Sequence, residues 1–147
     1  ALVVHAVAMQ IRAMRAERTF WEKATAIHVF CLQGKLGGER FARHWYDLVQ
    51  LDKKGIVDVA LKDRELAKTV AQHKSVFFPE KDATGDVIDY AGAIGGKLQL
   101  VPEGEARAIL AADYAKMLED GLLPDGAQTF DEILDRCADI QSRAQKP

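Results

Sequence analysis

Apolar residues recur at the spacing of an α-helix through most of the chain. The first clear stripe places one apolar residue on each turn, at Phe20, Ala24, Ile27 and Cys31. This period predicts an amphipathic helix from about residue 17 to residue 33. The segment "GKLGG" follows at 34–38, and glycine readily adopts the positive φ with which helices end. The pattern therefore predicts a long helix with a sharp exit.

The same period predicts four further helices. Their approximate ranges are 39–53, 63–77, 103–120 and a last helix that begins after Thr129. Residues that we expect to face inward in the 63–77 helix are Leu66, Val70 and Phe77. Thr129 and Glu132 have the spacing of a capping box, in which two side chains satisfy free backbone N–H groups at a helix start.

Two segments do not follow the helical period. The region between Pro79 and Pro102 is punctuated by glycine, so we expect mostly loop there, with one helical turn near residues 87–91. Residues 9–14, "MQIRAM", alternate crudely and predict a short strand or an extended entry segment. The expected fold class is therefore all-α: one domain over residues 1–147, an irregular helical bundle with at most one short N-terminal strand.

Composition and charge narrow the possible environments and partners. Hydrophobic residues make up 48% and charged residues 29%, which is ordinary for a globular protein. No apolar run approaches the roughly 20 residues of a membrane-spanning helix, so we expect no membrane partner. Residues 1–54 hold nine Lys and Arg against five Asp and Glu, and the remainder holds eleven against seventeen. The basic excess thus lies in the part of the chain that contains the first two predicted helices.

The common kinds of catalytic site find little support. Cys31 lies on the apolar stripe and Ser75 has no general base nearby in sequence, which argues against a nucleophile triad. His28, His44 and His73 show no i, i+4 pair that could hold a metal on one helical face. The chain also lacks a Walker loop and any Asp-x-Asp pair, the usual cradle for Mg²⁺. The sequence predicts neither a metal site nor a cofactor in this chain, and two cysteines without metal spacing suit a reducing cytoplasm.

A polar cluster on the first two long helices is the remaining candidate site. On the first helix three charged residues lie adjacent or one turn apart: Arg18, Glu22 and Lys23. On the second helix the segment "RFARHWYDL" places three polar residues on one face: Arg43, His44 and Asp47. Two helices joined by a short link should pack antiparallel, which brings the two groups together. Such cations could bind a triphosphate while the carboxylate fixes them in place. The commoner outcome for such residues is a surface ion-pair network, and aromatic residues such as Trp21, Trp45 and Tyr46 more often fill a core than stack on bases.

Five segments, in this order, carry a resemblance: "ERTFWEKATAIH", "RFARHWYDL", "HKSVFF", "GKLQLVP" and "DYAKM". They cover most of the chain and resemble the AbiEii/AbiGii-type toxin nucleotidyltransferases of bacterial abortive-infection toxin–antitoxin systems. Such proteins are similar to DNA polymerase β-type nucleotidyltransferases. In that family an α/β half carries a Gly-Ser motif and an Asp-x-Asp metal pair, and a helical half follows.

The resemblance implies roles for the residues of the cluster. Lys23 matches a lysine that holds nucleotide phosphates, and Asp47 matches a residue that completes the site, so these two are the expected catalytic residues. The expected substrate-binding residues are Arg18, Glu22, Arg43, His44 and Tyr46. The implied partners are a nucleoside triphosphate with Mg²⁺, a tRNA acceptor and a cognate antitoxin.

The chain also departs from the family pattern, because it contains neither a Gly-Ser nor an Asp-x-Asp motif. It resembles the C-terminal helical portion alone, with "MQIRAM" in the place of the last strand of the catalytic sheet. Phosphoryl transfer depends on positioning and on metal-borne electrostatics, so we expect this chain alone to be inactive. Two alternatives stay open: a helical module that binds RNA or protein without catalysis, and a plain structural role for the ion pairs.

Overall fold

The computed structural model describes the backbone from Leu2 to Lys146 and, in that range, every side chain except those of Leu2 and residues 9–15. Apart from an isolated bridge between Lys81 and Val87, the regular structure in this range is helical. In chain order the helices are α1 Leu2–Gln33, α2 Arg43–Lys53, α3 Ile56–Lys62, α4 Arg64–Phe77, α5 Tyr90–Gly92 with a π-helical continuation Ala93–Lys97, α6 Gly104–Glu119 and α7 Phe130–Ala144. The predicted all-α fold class is confirmed.

The predicted N-terminal strand at residues 9–14 is wrong, because these residues lie inside α1. Met, Gln, Arg and Ala make up most of this segment, and all four are strong helix formers. A crude alternation over six residues could not outweigh that preference. At 32 residues, α1 is about 48 Å long.

The core forms where α1 crosses the other helices. Phe20 and Trp21 contact each other edge-to-face at 5.0 Å, and Phe30 meets Trp45 of α2 at 5.3 Å. Both indole N–H groups donate hydrogen bonds to residues distant in sequence. Trp21 donates to the carbonyl of Ala60, and Trp45 donates to the carbonyl of Leu100. Because a buried indole needs such an acceptor, these bonds fix distant segments against α1 and α2.

α2 begins at Arg43, four residues later than predicted, because Arg40 has a φ of 60° and cannot continue a helix. The turn before α2 is held by the buried carboxylate of Asp113 on α6. That carboxylate accepts from the backbone N–H of Arg40 at 3.0 Å and of Ala42 at 2.8 Å. A side chain from a distant helix thus sets the position of α2.

Between α2 and α4 the structure contains a helix that the sequence analysis did not predict. Gly55, with a φ of 78°, turns the chain, and α3 then runs for seven residues to Lys62. Asp63 caps α4 by accepting from the N–H of Leu66 at 3.1 Å. The turn predicted near residues 87–91 begins later, at Tyr90, and extends through the π-helical segment.

α4 differs from its prediction on one face. Val70 is buried as expected and Leu66 is partly buried, but Phe77 is 67% exposed. Phe77 is the last residue of the helix, and its ring rests on the His73 ring at 4.8 Å instead of entering the core. The capping box of α7 is confirmed, with Thr129 and Glu132 each accepting from the other's backbone N–H at 3.2 Å.

Candidate functional site

Lys23 and Asp47 are in direct contact where α1 and α2 pack together. Lys23 Nζ lies 2.9 Å from Asp47 Oδ2, and Arg43 Nε lies 3.8 Å from the other oxygen of the same carboxylate. The side chains of Lys23 and Asp47 are each about one-quarter exposed, so the pair is reachable from solvent but not fully hydrated. One carboxylate therefore holds two cations at the surface of the helix pair.

His44 completes the polar contacts of Lys23. Its Nδ1 lies 3.4 Å from Lys23 Nζ. Burial and, after it, the positive charge of Lys23 lower the pKa of His44 to about 4, although the negative charge of Asp47 acts in the opposite direction. Near neutral pH the imidazole is uncharged, so its ring nitrogen can accept a hydrogen bond from the lysine ammonium. His44 thus helps to orient Lys23 without adding charge.

Arg18 and Glu22 form a neighbouring group. Arg18 Nε lies 3.3 Å from Glu22 Oε1, and Lys74 of α4 reaches the other oxygen of Glu22 at 3.7 Å. Lys74 was absent from the predicted site, because it lies far along the chain and only the packing of α4 on α1 brings it close. Its positive charge also contributes to the low pKa of His44, which places the two groups side by side.

Tyr46 lies apart from these residues. It is buried, and its nearness contributes, after burial itself, to the raised pKa of Tyr114 on α6. The structure therefore brings Lys23, Arg43, His44 and Asp47 together, sets Arg18 and Glu22 beside them, and leaves Tyr46 in the core.

An open pocket of about 250 Å³ lies beside the Lys23–Asp47 pair. Its lining residues come from two helical faces: Thr19 and Lys23 of α1, Asp47, Gln50 and Leu51 of α2, and Lys54 at the end of α2. Lys54 is a second cation that the sequence analysis missed. The available signal was its spacing: Gln50 and Lys54 follow Asp47 by three and seven residues, which places all three on one helical face.

The described residues of this site do not fit a magnesium ion. Asp47 is its only carboxylate at the pocket, and Lys23 already neutralises it. Among the side chains that the structure describes, no three His, Cys, Asp or Glu lie together as a metal site. Burial raises the pKa of Cys31 and of Cys137 to about 12, so neither thiol is a reactive nucleophile near neutral pH.

No helix within the described range is long and apolar enough to cross a membrane.

Comparisons with known proteins identify the family. No curated protein matches the chain, and no solved structure matches it. A family model described as "Nucleotidyl transferase AbiEii toxin, Type IV TA system" matches residues 4–136. That match spans both helices of the Lys23–Asp47 pair and most of the remaining fold. The chain therefore belongs to the AbiEii nucleotidyl transferase toxin family of type IV toxin–antitoxin systems.

Proposed function

We propose that this chain forms the phosphate-binding helical side of a toxin nucleotidyltransferase active site, which uses a nucleoside triphosphate to modify an RNA acceptor such as tRNA. The observation that carries this proposal is the contact of Lys23 with Asp47 at the mouth of a pocket that also holds Lys54. Two lysines against one carboxylate leave a net positive pocket, which attracts a triphosphate.

Each residue has a distinct part in this proposal. The ammonium groups of Lys23 and Lys54 bind phosphate oxygens as point charges. Asp47 is a positioning residue, because it holds Lys23 Nζ at 2.9 Å and keeps the flexible side chain in one place. Neutral His44 gives Lys23 a second contact, and Arg43 adds charge at the rim.

The metal chemistry must come from carboxylates outside these residues. The sequence has no Asp-x-Asp pair, and the one pocket carboxylate is paired with lysine. We therefore propose a composite active site, in which a catalytic half with the Gly-Ser and Asp-x-Asp motifs supplies the Mg²⁺ ligands and this chain supplies cations. A cytoplasmic location and a cognate antitoxin belong to the same proposal, since the family description names a toxin–antitoxin system.

A second candidate function is a helical interaction module without catalysis. The end of α4 favours it, because three consecutive apolar residues are more than half exposed: Val76, Phe77 and Phe78. Exposed apolar patches often mark the binding site of a partner. In this reading the charges near Lys23 serve recognition only.

A binding experiment separates the two functions. Calorimetry of the chain with inorganic tripolyphosphate measures phosphate binding without a base or a sugar. We expect Lys23→Ala and Lys54→Ala each to weaken this binding by about tenfold or more, because each removes a charge-assisted contact. The matched control is Lys53→Ala, which removes the same charge from an exposed neighbour that does not line the pocket. Equal effects of all three variants would reject a specific phosphate site.

A growth experiment tests the catalytic part of the proposal. In the complete toxin, Lys23→Ala and Asp47→Ala should abolish growth inhibition of the host while circular dichroism shows an unchanged fold. Lys53→Ala should retain toxicity. Full toxicity of folded Lys23→Ala protein would favour the interaction module.

A further inference from the structure

A second, smaller pocket lies beside Phe41, whose ring packs against the ring of His44. It measures about 170 Å³ and is framed by two phenylalanine rings, Phe41 from the turn before α2 and Phe78 from the end of α4. A cavity of about 150 Å³ lined by apolar side chains is known to hold a benzene ring, so this pocket has room for one planar ring. Polar groups at its rim come from Gln33, Lys74 and Glu80.

The surrounding structure packs against the Phe41 ring and anchors the backbone of Phe78. A Cβ atom on Gly37 would lie 2.8 Å from the Phe41 ring, so the chain needs glycine there for the ring to occupy its position. Phe41 also packs edge-on against Trp45 at 5.7 Å. On the other wall, the carbonyl of Phe78 accepts from the hydroxyl of Tyr90 at 2.8 Å, and Lys74 Nζ lies 5.5 Å from the centre of the Phe78 ring.

Side-chain contacts through His44 and Lys74 link the small pocket to the Lys23–Asp47 site. Lys23 Nζ lies 3.4 Å from the His44 ring, and the centre of that ring lies 4.7 Å from the centre of the Phe41 ring. On the α4 side, Lys74 lines the small pocket and also pairs with Glu22, which neighbours Lys23 in sequence. One short path therefore leads from the phosphate-binding cation to the aromatic walls.

We infer that this pocket receives an unpaired nucleobase whose sugar and phosphates extend along His44 toward Lys23. Aromatic walls suit a base because every base has a face that stacks on an aromatic ring. The adjoining cations favour a base over the aromatic side chain of a protein, because a nucleotide brings phosphate to Lys23 and Lys74. This inference rests on the proposed function for the direction of the phosphates. The base belongs either to the nucleoside triphosphate or to an unpaired nucleotide of the RNA.

Saturation-transfer NMR on the chain tests the inference. The probes are the four nucleoside triphosphates with Mg²⁺, an unstructured RNA pentamer without a triphosphate, and inorganic tripolyphosphate as a competitor. We expect the base protons of at least one probe to receive more saturation than its ribose protons. Phe78→Ala should weaken binding of that probe by about fivefold or more, since it removes one stacking wall. Binding of tripolyphosphate, measured by calorimetry, should be unchanged.

Phe77→Ala is the matched control. Phe77 is the neighbouring phenylalanine, is 67% exposed, and does not line the pocket. It should leave the affinity of every probe unchanged. Since Phe78 is itself 54% exposed, neither variant removes a core side chain. Equal losses in Phe77→Ala and Phe78→Ala would overturn the inference, as would base protons that receive no saturation.

The arms of the experiment identify the source of the base. A Phe78-dependent loss confined to the triphosphates assigns the base to the nucleotide substrate, and a loss confined to the pentamer assigns it to the RNA. Phe78-dependent saturation of N-acetyltryptophanamide, with none on any base, would assign the pocket to a protein partner and overturn the inference. The proposed function fails separately, if Lys23→Ala leaves tripolyphosphate binding unchanged while Phe78→Ala still weakens binding of a base.

Discussion

At the scale of single residues, the three polar residues that are buried in the described part of the chain have specific partners. The buried side chains of Thr25, His28 and Asp113 all form hydrogen bonds to backbone groups. Burying a polar group without a hydrogen-bond partner costs free energy, so these partners help to favour this fold over alternative folds. The partners of His28 and Asp113 are distant in sequence, so the sequence analysis did not find them.

Asp113→Ala should lower the free energy of unfolding by about 2 kcal/mol or more, because it leaves two backbone N–H groups before α2 without their acceptor. Urea unfolding followed by circular dichroism measures this change. Glu119→Ala is the control, since it removes an exposed carboxylate from the same helix and should change the free energy by less than about 0.5 kcal/mol. Equal effects of the two substitutions would contradict the proposal that Asp113 holds the turn before α2.

The stability of the fold should fall as the pH drops from about 6.5 toward 4. Burial lowers the pKa of His28 to about 4, with a small opposing effect of Asp89, and burial together with Lys23 does the same for His44. In the unfolded chain both residues protonate near 6.5, so acid favours the unfolded state in this window. Protonation of His28 also removes the acceptor for the N–H of Gln99. NMR titration of the two rings should give midpoints well below 6, and midpoints near 6.5 would refute this account.

At the scale of helices, local signals predicted what local chemistry decides. The exit of α1 and the capping box of α7 follow from residues within one turn, and both were predicted. α3 was missed because its seven residues are too few to show a period. The start of α2 depends on Asp113, about seventy residues away, and the exposed Phe77 packs on the His73 ring instead of entering the core. Helix boundaries that depend on tertiary contacts could not be predicted from the sequence.

The same distinction applies to the candidate site. The contact of Lys23 with Asp47 follows from two helical faces and a short link, which sequence spacing can describe. Lys54 had a usable spacing signal, whereas Lys74 and Phe78 come from α4 and its end, so only the packing of α4 on α1 places them in one pocket with Phe41. The assigned roles of these residues stay predictions.

A network of ion pairs joins α7 to α2 and α3. Arg143 on α7 reaches Asp52 of α2 at 2.7 Å and Asp58 of α3 at 2.6 Å, and Arg136 reaches Asp52 at 3.0 Å. The side chain of Asp52 is only 9% exposed, so this carboxylate depends on its arginine partners. The network links three helices: α2, α3 and α7.

Arg143→Met should therefore destabilise the protein by about 1–3 kcal/mol, because it keeps an apolar stem but leaves Asp52 with one partner in place of two. The control is Arg107→Met, which breaks an exposed pair with Asp131 and should cost less than about 1 kcal/mol. Thermal unfolding followed by calorimetry gives both values. A larger loss in the control would contradict a special role for the buried aspartate.

At the scale of the whole molecule, one cluster of buried side chains includes residues from all the helices described here. The long helix α1 supplies three of its five largest members, Phe20, Trp21 and Phe30, and the other two are Trp45 of α2 and Tyr114 of α6. The polar site lies on the edge of this cluster, where α1 and α2 emerge from the core. Lys23 therefore lies on a helix whose other face is fixed by packing in the core. A rigid helix of this kind can hold a lysine in precise contact with phosphate.

A single core predicts a single unfolding transition. The two tryptophans of the chain, Trp21 and Trp45, are both almost completely buried and are tied through their N–H groups to different distant segments. If the helices unfold together, the tryptophan emission maximum and the helical circular dichroism signal should change at the same urea concentration. The variants Trp21→Phe and Trp45→Phe, each with one remaining tryptophan, should each show fluorescence and dichroism midpoints that agree. Separate midpoints would show that the part of the core around Ala60 unfolds independently of the part around Leu100.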